Sequence, residues 1–158
     1  MATSTLRKTL EESATAFFHS YEDASRANDA SIVSRGMTEN CTRKFQPPTF
    51  CQAMGYPEDV EIPSSVYQGR IAQGMQHWTA TKTEILHLTV DVDARQVAAQ
   101  TAVSGKWSDG EDVKLHFAWF LYFSDDGTQI SRVIEYMDSP PTKAYYGKIQ
   151  ALSAAAQA

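Results

Sequence analysis

Apolar residues near the start of the chain recur at the three- and four-residue spacing of an amphipathic helix. These residues are Leu6, Leu10, Ala14, Phe17 and Tyr21. The hydroxyl side chains at positions 3–5 can cap this helix, and the sequence RAND ends it. Asp29 can then cap a short second helix that carries Ile32 and Met37.

Proline and glycine mark the next part of the chain. The two prolines of the QPPTF segment disfavour helix before them, so this segment ends the helical region. Residues 50–65 contain one glycine and two prolines, which predicts a loop. Ser64 or Ser65 can cap a third helix that runs through Tyr67 to about His77.

After Trp78 the spacing of apolar residues changes to the alternation of strands. Four strands are predicted, at residues 82–93, 96–107, 112–123 and 129–138. Pro140 and Pro141 then open a C-terminal helix. Helices followed by a run of strands predict an α+β fold, in which a cone-shaped, curved antiparallel sheet wraps around the N-terminal helices (an α+β barrel). Such a sheet holds one open, apolar pocket.

The composition narrows the class of protein. The 158 residues fit a single domain, with an ordered core at about residues 6–150 and a small-residue tail that is expected to fray. The net charge of -5 and the scattered basic residues argue against a nucleic-acid partner. No apolar stretch is long enough for a membrane span, and no secretory signal is visible. We therefore expect a cytoplasmic protein.

The two cysteines, Cys41 and Cys51, are too few for a disulfide framework and are predicted to be free thiols, although their ten-residue separation would permit a disulfide. They also lack partners at zinc-ligand spacing. No nucleotide-binding loop or nucleophile motif occurs in the sequence. We therefore expect neither a metal nor an organic cofactor.

The segment DDGTQISRVIEYMDS resembles the last strand of SnoaL-like members of the nuclear-transport-factor-two-like superfamily. The matching residues are Asp126, Gly127, Ile130, Glu135, Tyr136 and Asp138. One residue more than usual separates the glycine from the isoleucine. The earlier segment ENCTRKFQPPTF also looks like the fungal pattern, in which a cysteine leads into a basic, proline-containing loop. The resemblance covers roughly residues 8–150.

This resemblance implies an activity as well as a fold. Fungal relatives of this size are mostly cofactor-independent isomerases, cyclases and dehydratases of secondary metabolism, and others are binding modules. We therefore expect an isomerase or cyclase that uses acid-base catalysis on an aromatic or polycyclic, polyketide-type small molecule. A dehydratase, an epoxide hydrolase and a non-catalytic ligand-binding module remain alternatives, since fold alone cannot choose among them.

The SDDGT turn predicts which residues face each other on the last two strands. Pairing Asp125 with Thr128 places Ala118 opposite Glu135, and His116 diagonal to Glu135 on the same face. This face would carry His116, Phe120, Tyr122 and Glu135. A slip of one residue would instead bring Tyr136 and Asp138 to the face of His116.

Four residues are candidates for catalysis. A buried carboxylate beside a histidine can move protons, which are the roles predicted for Glu135 and His116. Arg43 is predicted to hold an oxyanion, because a guanidinium keeps its charge when buried. Asp138 is a second candidate base. The alternatives are a structural Glu135–His116 pair, a surface cation at a helix end for Arg43, and a helix cap for Asp138.

Aromatic residues and one histidine are candidates for substrate contact. They are Tyr122, Tyr67, Phe50, Trp107, His77 and Phe120. The opposite face of the third strand, from Leu115 to Phe123, is wholly apolar and suits helix packing or a subunit interface. A homodimer through the outer face of the sheet is therefore predicted.

Overall fold

The computed structural model describes residues 2–157, which form helices and one six-stranded sheet. In chain order the elements are α1 (Ala2–Ala27), a 3₁₀ helix (Ala30–Ser34), β1 (Met37–Gln46), α2 (Pro48–Ala53), β2 (Glu61–Pro63), α3 (Ser64–Gly74), β3 (Trp78–Asp91), β4 (Gln96–Trp107), β5 (Asp112–Phe123), β6 (Ile130–Met137) and α4 (Ser139–Ala155). The predicted α+β class is confirmed.

The strands are arranged in the order β2-β1-β6-β5-β4-β3. All neighbours are antiparallel except β1, which runs parallel to β6. The sheet is curved but not closed, and the N-terminal helices pack against it. It therefore has two more strands than the sequence predicted.

The helix boundaries differ from the prediction at several points. Residues 3–5 lie inside α1 and not at its N-cap position. Asp29 does cap the 3₁₀ helix, because its carboxylate accepts a hydrogen bond of 2.9 Å from the Ser31 amide. Met37 belongs to β1 rather than to a helix.

The region predicted as a loop at residues 50–65 contains part of α2 and all of β2. Helix α3 begins at Ser64 itself, and Pro63 occupies its N-cap position. Neither predicted serine therefore caps the helix. Because proline fixes its own φ, it suits the entry to a helix although it offers no capping side chain.

The strands β4 and β5 have the predicted bounds, whereas β3 begins earlier, at Trp78. The pairing of β5 with β6 starts in the predicted register, with Phe123 opposite Ile130. A bulge then shifts the register by one residue, so Tyr122 pairs with Arg132. The hydroxyl of the bulged Ser131 donates to the carbonyl oxygen of Tyr122 at 3.2 Å.

The bulge decides which face carries the predicted catalytic residues. Glu135 pairs with Trp119 and lies on the inner face, while His116 is exposed on the outer face. The predicted juxtaposition of Glu135 and His116 is therefore wrong. Tyr136 and Asp138 share the outer face with His116, which is the arrangement that the alternative register, shifted by one residue, predicted.

The main core lies between α1 and the concave face of the sheet. Leu10, Phe17 and Phe18 pack there against Trp119 and Leu121. The apolar face of β5 thus covers the N-terminal helix rather than a second subunit. A second cluster, which includes Phe45, Phe50, Tyr67 and Met137, lies towards the end of the sheet near α2 and α3. Both cysteines are buried and free, as predicted.

Candidate active site

A cavity lies between the inner face of the sheet and the helices α1, α3 and α4. Its space amounts to about 600 Å³, including the part that is open to solvent. Aromatic side chains dominate its wall, chiefly Tyr21, Tyr67, Phe117, Trp119, Tyr145 and Tyr146. Among the described residues that line it, Glu135 is the one acidic side chain. An apolar pocket with few polar groups is typical of a small-molecule site.

Glu135 forms a buried ion pair with Arg43, whose Nη1 donates to Oε2 of the carboxylate. Arg43 is 0% exposed and Glu135 is 2% exposed. The parallel pairing of β1 with β6 explains the contact. Arg43 lies beside Val133 and Phe45 beside Glu135, so both charged side chains point to the inner face.

Arg43 lies behind the cavity wall. Its guanidinium carbon is 3.6 Å from the centroid of the Tyr67 ring, a cation–π contact. The side chain does not line the cavity, although Glu135 and Tyr67 do. The predicted direct contact between Arg43 and a substrate oxyanion does not match this placement. Arg43 is instead placed to orient Glu135 and to balance its charge.

The carboxyl of Glu135 is placed to exchange a proton with a ligand. Burial raises its pKa above the ordinary glutamate value, while the Arg43 guanidinium acts in the opposite direction. The second oxygen, Oε1, accepts no hydrogen bond from the residues that the structure describes. One oxygen is therefore held by Arg43, and the other is unpaired within residues 2–157, on a side chain that lines the cavity.

Two tyrosines supply hydroxyl groups to the same cavity. The hydroxyl oxygens of Tyr21 and Tyr67 are 3.3 Å apart. Burial raises the pKa of both phenols, so they stay protonated near neutral pH. A neutral phenol can donate a hydrogen bond to a carbonyl oxygen on which negative charge develops.

Two further polar atoms belong to residues that line the cavity. Oγ1 of Thr142, a residue that is 1% exposed, and Nε1 of Trp78 have no hydrogen-bond partner within residues 2–157. Unpartnered buried polar groups cost free energy. These two groups are therefore additional candidates for ligand contact.

The substrate-contacting residues predicted on the helices and β4 lie at different depths. Tyr67 lines the cavity, and Phe50 lines a smaller neighbouring cavity. Trp107 lies behind the wall, with its ring centroid 5.3 Å from that of Tyr145. His77 is outside the cavity, and its Nε2 is 3.2 Å from Oγ of Ser153.

The remaining predicted site residues lie on the outer face of the sheet. His116 and Asp138 border a shallow outer groove, where the Asp138 amide donates to the His116 carbonyl. The ring of Phe120 is 6.1 Å from that of Tyr136, and Tyr122 lies under Arg132. The structure does not bring these four predicted residues to the cavity, because they lie on the outer face of the sheet and Glu135 lies on the inner face. Asp138 occupies the N-cap position of α4, but its side chain makes no capping hydrogen bond.

Sequence reasoning missed several residues of the cavity wall. Tyr21 was visible on the apolar face of α1, and Trp119 on the apolar face of β5, but both were assigned to packing. Tyr145 and Tyr146 belong to α4, which folds over the cavity. Their adjacency on a proline-initiated helix was the available signal.

No set of three or more metal-ligating side chains is close enough to hold an ion in the part of the chain that the structure describes. Over the same residues, no helix is long and apolar enough to cross a membrane.

No protein-family model matches the sequence, and no curated protein matches it significantly. Solved structures do match. The pinacolase BvnE from Penicillium brevicompactum is 18% identical and has a TM-score of 0.73, with 93% of this chain and 94% of that chain covered. PrhC from Penicillium brasilianum is also 18% identical, with a TM-score of 0.74 and coverage of 95% and 93%.

AusH from Aspergillus nidulans gives a third match at 18% identity, with a TM-score of 0.67 and coverage of 84% of this chain and 86% of that chain. At these identities the likeness concerns the fold, and activity has to be argued from the site. The chain therefore shares the fold of these three fungal proteins, in agreement with the SnoaL-like resemblance of its sequence.

Proposed function

We propose that this protein is a cofactor-independent isomerase that transfers protons on a polycyclic, polyketide-type ketone or phenol in fungal secondary metabolism. One observation carries the proposal. Glu135 is buried in an aromatic cavity, with one oxygen held by Arg43 and the other free. That is the arrangement a general base needs, because its orientation is fixed and its proton-accepting atom is accessible to a ligand.

The reaction begins when Oε1 of Glu135 accepts a proton from a carbon next to a ketone. The electrons of the broken C–H bond move into the carbonyl, and the Tyr21 or Tyr67 hydroxyl donates a hydrogen bond to the resulting enolate oxygen. Glu135 then returns the proton to a different carbon of the conjugated system. No atom is gained or lost, so the product is an isomer.

A coupled cyclisation uses the same enolate. Its carbon attacks a second carbonyl of the same molecule, a new C–C bond forms, and the alkoxide takes up the proton that Glu135 removed. The aromatic wall holds the substrate in the folded shape that this attack requires. Arg43 acts as a positioning residue, since it touches Glu135 and not the cavity.

The comparisons support an enzyme of this general kind. BvnE, which has the same fold, is a pinacolase. Pinacol-type rearrangements also include proton transfers to and from oxygen, and an enclosed carboxyl can perform such transfers. The free, buried thiols fit a reducing compartment, and we place the enzyme in the cytoplasm.

We further propose that the enzyme acts as a homodimer through the outer face of the sheet. Phe120 is 37% exposed and Tyr136 is 41% exposed, and their rings are neighbours on that face. Adjacent exposed aromatic side chains are typical of protein–protein interfaces.

The proposed reaction is tested by hydrogen exchange. The ketone 2-tetralone is incubated in D₂O with the protein, and loss of its α-hydrogen signals is followed by NMR. Replacement of Glu135 by Gln should lower the catalysed exchange rate by about a hundredfold or more. Glu39→Gln is the matched control, because Glu39 is exposed on β1 and the change in charge is the same. Exchange by the Glu135→Gln variant at the unaltered rate would contradict the assignment.

Labelled water separates the remaining alternatives. An epoxide hydrolase incorporates ¹⁸O from H₂¹⁸O into its product, and a dehydratase releases an oxygen atom that the substrate carried. The proposed isomerase does neither. A pure binding module binds the ketone without any protein-dependent exchange.

A further inference from the structure

Arg70, on α3, is a half-buried cation at the boundary of two cavities. It lines the main cavity and also a smaller neighbouring one, whose space is about 210 Å³ including the part that is open to solvent. Its guanidinium carbon is 4.9 Å from the centroid of the Tyr56 ring and 5.8 Å from that of Phe45. Arg70 forms no hydrogen bond or ion pair with any residue that the structure describes.

No acidic side chain within residues 2–157 forms an ion pair with Arg70. The other residues that line the smaller cavity are uncharged. In the main cavity the acidic group is Glu135, which is already paired with Arg43. Aromatic rings compensate a guanidinium only in part, because a cation–π contact is weaker than a charge-assisted hydrogen bond. The hydrogen-bonding capacity of Arg70 is thus unused within residues 2–157.

We propose that Arg70 binds a carboxylate of the substrate and so fixes which end of the substrate reaches Glu135. The planar guanidinium can bind a carboxylate through two parallel hydrogen bonds. Arg43 balances the charge of Glu135, so an anionic ligand meets little repulsion inside the cavity. The substrate class is therefore an aromatic or polycyclic keto acid.

The statement that the other end of the substrate reacts at Glu135 rests on the proposed function. The binding of the carboxylate by Arg70 does not. Binding itself is independent of turnover. Tyr146 contributes to both cavities, so an aromatic body can lie along it while the carboxylate reaches Arg70. Arg70 is a specificity-determining residue in this arrangement.

The test compares two probes that have the same shape and different charge, 2-naphthoate and 2-naphthamide. Their dissociation constants are measured by isothermal titration calorimetry at pH 7. The wild-type protein should bind the carboxylate about tenfold more tightly than the amide. Arg70→Gln should abolish this preference, because it should weaken the binding of 2-naphthoate much more than that of 2-naphthamide. Arg70→Lys should keep part of it, because the charge remains while the two-point geometry is lost.

Arg35→Gln is the matched control. It makes the same change in net charge at an exposed residue outside both cavities, and it should keep the full preference. The proposal is overturned if the wild-type protein binds neither probe or binds both equally. It is also overturned if Arg70→Gln keeps the preference or weakens the binding of both probes alike.

The Glu135→Gln variant separates this proposal from the proposed function. It should lose hydrogen exchange into 2-tetralone and still prefer 2-naphthoate. If it keeps exchange while Arg70→Gln loses the carboxylate preference, the catalytic assignment fails and the binding assignment stands. If it loses exchange while Arg70→Gln keeps the preference, the reverse holds.

Discussion

At the scale of single residues, the site depends on one buried ion pair. Burying two charges costs free energy that a well-oriented pair roughly recovers, whereas one unpaired charge is left uncompensated. The importance of the Arg43–Glu135 pair is therefore measured by the loss of stability when one of the two residues is replaced and the other stays buried without its partner.

Replacing Arg43 by Met should lower the free energy of unfolding by about 3–5 kcal/mol at pH 7, because Glu135 then stays buried without its cation. The double variant Arg43→Met/Glu135→Leu should lose less than the sum of the two single variants. Urea denaturation measures all four proteins. Additive losses would show that the pair is not coupled.

The same carboxyl predicts a pH profile. Glu135 must be ionised to accept a proton, and burial raises its pKa. The exchange rate should therefore rise with pH through a midpoint above the ordinary glutamate range of about 4.3. Arg43→Met should move that midpoint to higher pH, because the cation that favours the ionised form is gone. A midpoint that is the same in both proteins would argue against this role of Arg43.

The exchange rate should rise with pH, whereas the contribution of Glu135 to the free energy of unfolding should fall with pH. A carboxyl with a raised pKa holds its proton more tightly in the folded state than in the unfolded state. The stabilisation that results is fully present at pH values below the pKa of an ordinary glutamate. It is lost as the pH rises through the raised pKa of Glu135 in the folded state. Between these two pKa values, the free energy of unfolding of Glu135→Gln should decrease less with pH than that of the wild-type protein. Denaturation at several pH values measures this difference.

At the scale of elements, the sequence predicted β4 and β5 with their correct bounds, since clear alternation is bordered there by turn residues. The register of β6 began correctly at Phe123 and Ile130 and then failed at Ser131. A bulge adds one residue to one strand, and alternation of polar and apolar residues cannot locate it when neighbouring positions are both half-buried. That single residue moved Glu135 to the other face.

Strand β1 was missed for a different reason. Its inward positions include Cys41, Arg43 and Phe45, and a buried arginine looks in the sequence like a surface charge. The partner that permits this burial is Glu135, 92 positions away along the chain. Local patterns hold no information about such a pairing. The sequence predicted Glu135 and Tyr67 as site residues, whereas the packing of α4 over the cavity was not predicted.

The end of the β3–β4 pair that lies away from its connecting turn gives a prediction about packing. The indole ring of Trp78 lies against Gly105, and a Cβ atom at that position would overlap the ring. Gly105→Ala should therefore destabilise the protein by about 1–3 kcal/mol. It should also disturb the cavity, which Trp78 lines. Thermal unfolding measures the loss, and the intrinsic tryptophan emission reports the displacement.

Gly147→Ala is the control for that substitution. Gly147 is exposed within α4, and a Cβ atom there would meet nothing within 4 Å. Alanine favours helix over glycine by up to about 1 kcal/mol, so this variant should be slightly more stable. If both substitutions changed the stability equally, the close packing of Trp78 would not be the reason that position 105 requires glycine.

At the scale of the whole molecule, the two faces of the sheet have different tasks. The inner face carries the core and the cavity, and the outer face exposes Phe120 and Tyr136 beside the groove of His116 and Asp138. The apolar face of β5 that the sequence offered for an interface is the one covered by α1. The proposed dimer therefore has to use the aromatic residues of the outer face.

The proposed dimer can be tested at its centre. Phe120→Glu/Tyr136→Glu should convert the protein to a monomer, because two buried carboxylates would face their copies across the two-fold axis. Val66→Glu is the control, since Val66 is an exposed apolar side chain on α3 and not on the sheet. Analytical ultracentrifugation over a range of concentrations measures the mass. A wild-type monomer at every concentration, or a Phe120→Glu/Tyr136→Glu variant that stays dimeric, would contradict the proposal.

Because the cavity opens on the other side of the sheet, the monomeric variant should still exchange hydrogen into 2-tetralone. Its exchange rate shows whether dimerisation supports catalysis or only stability.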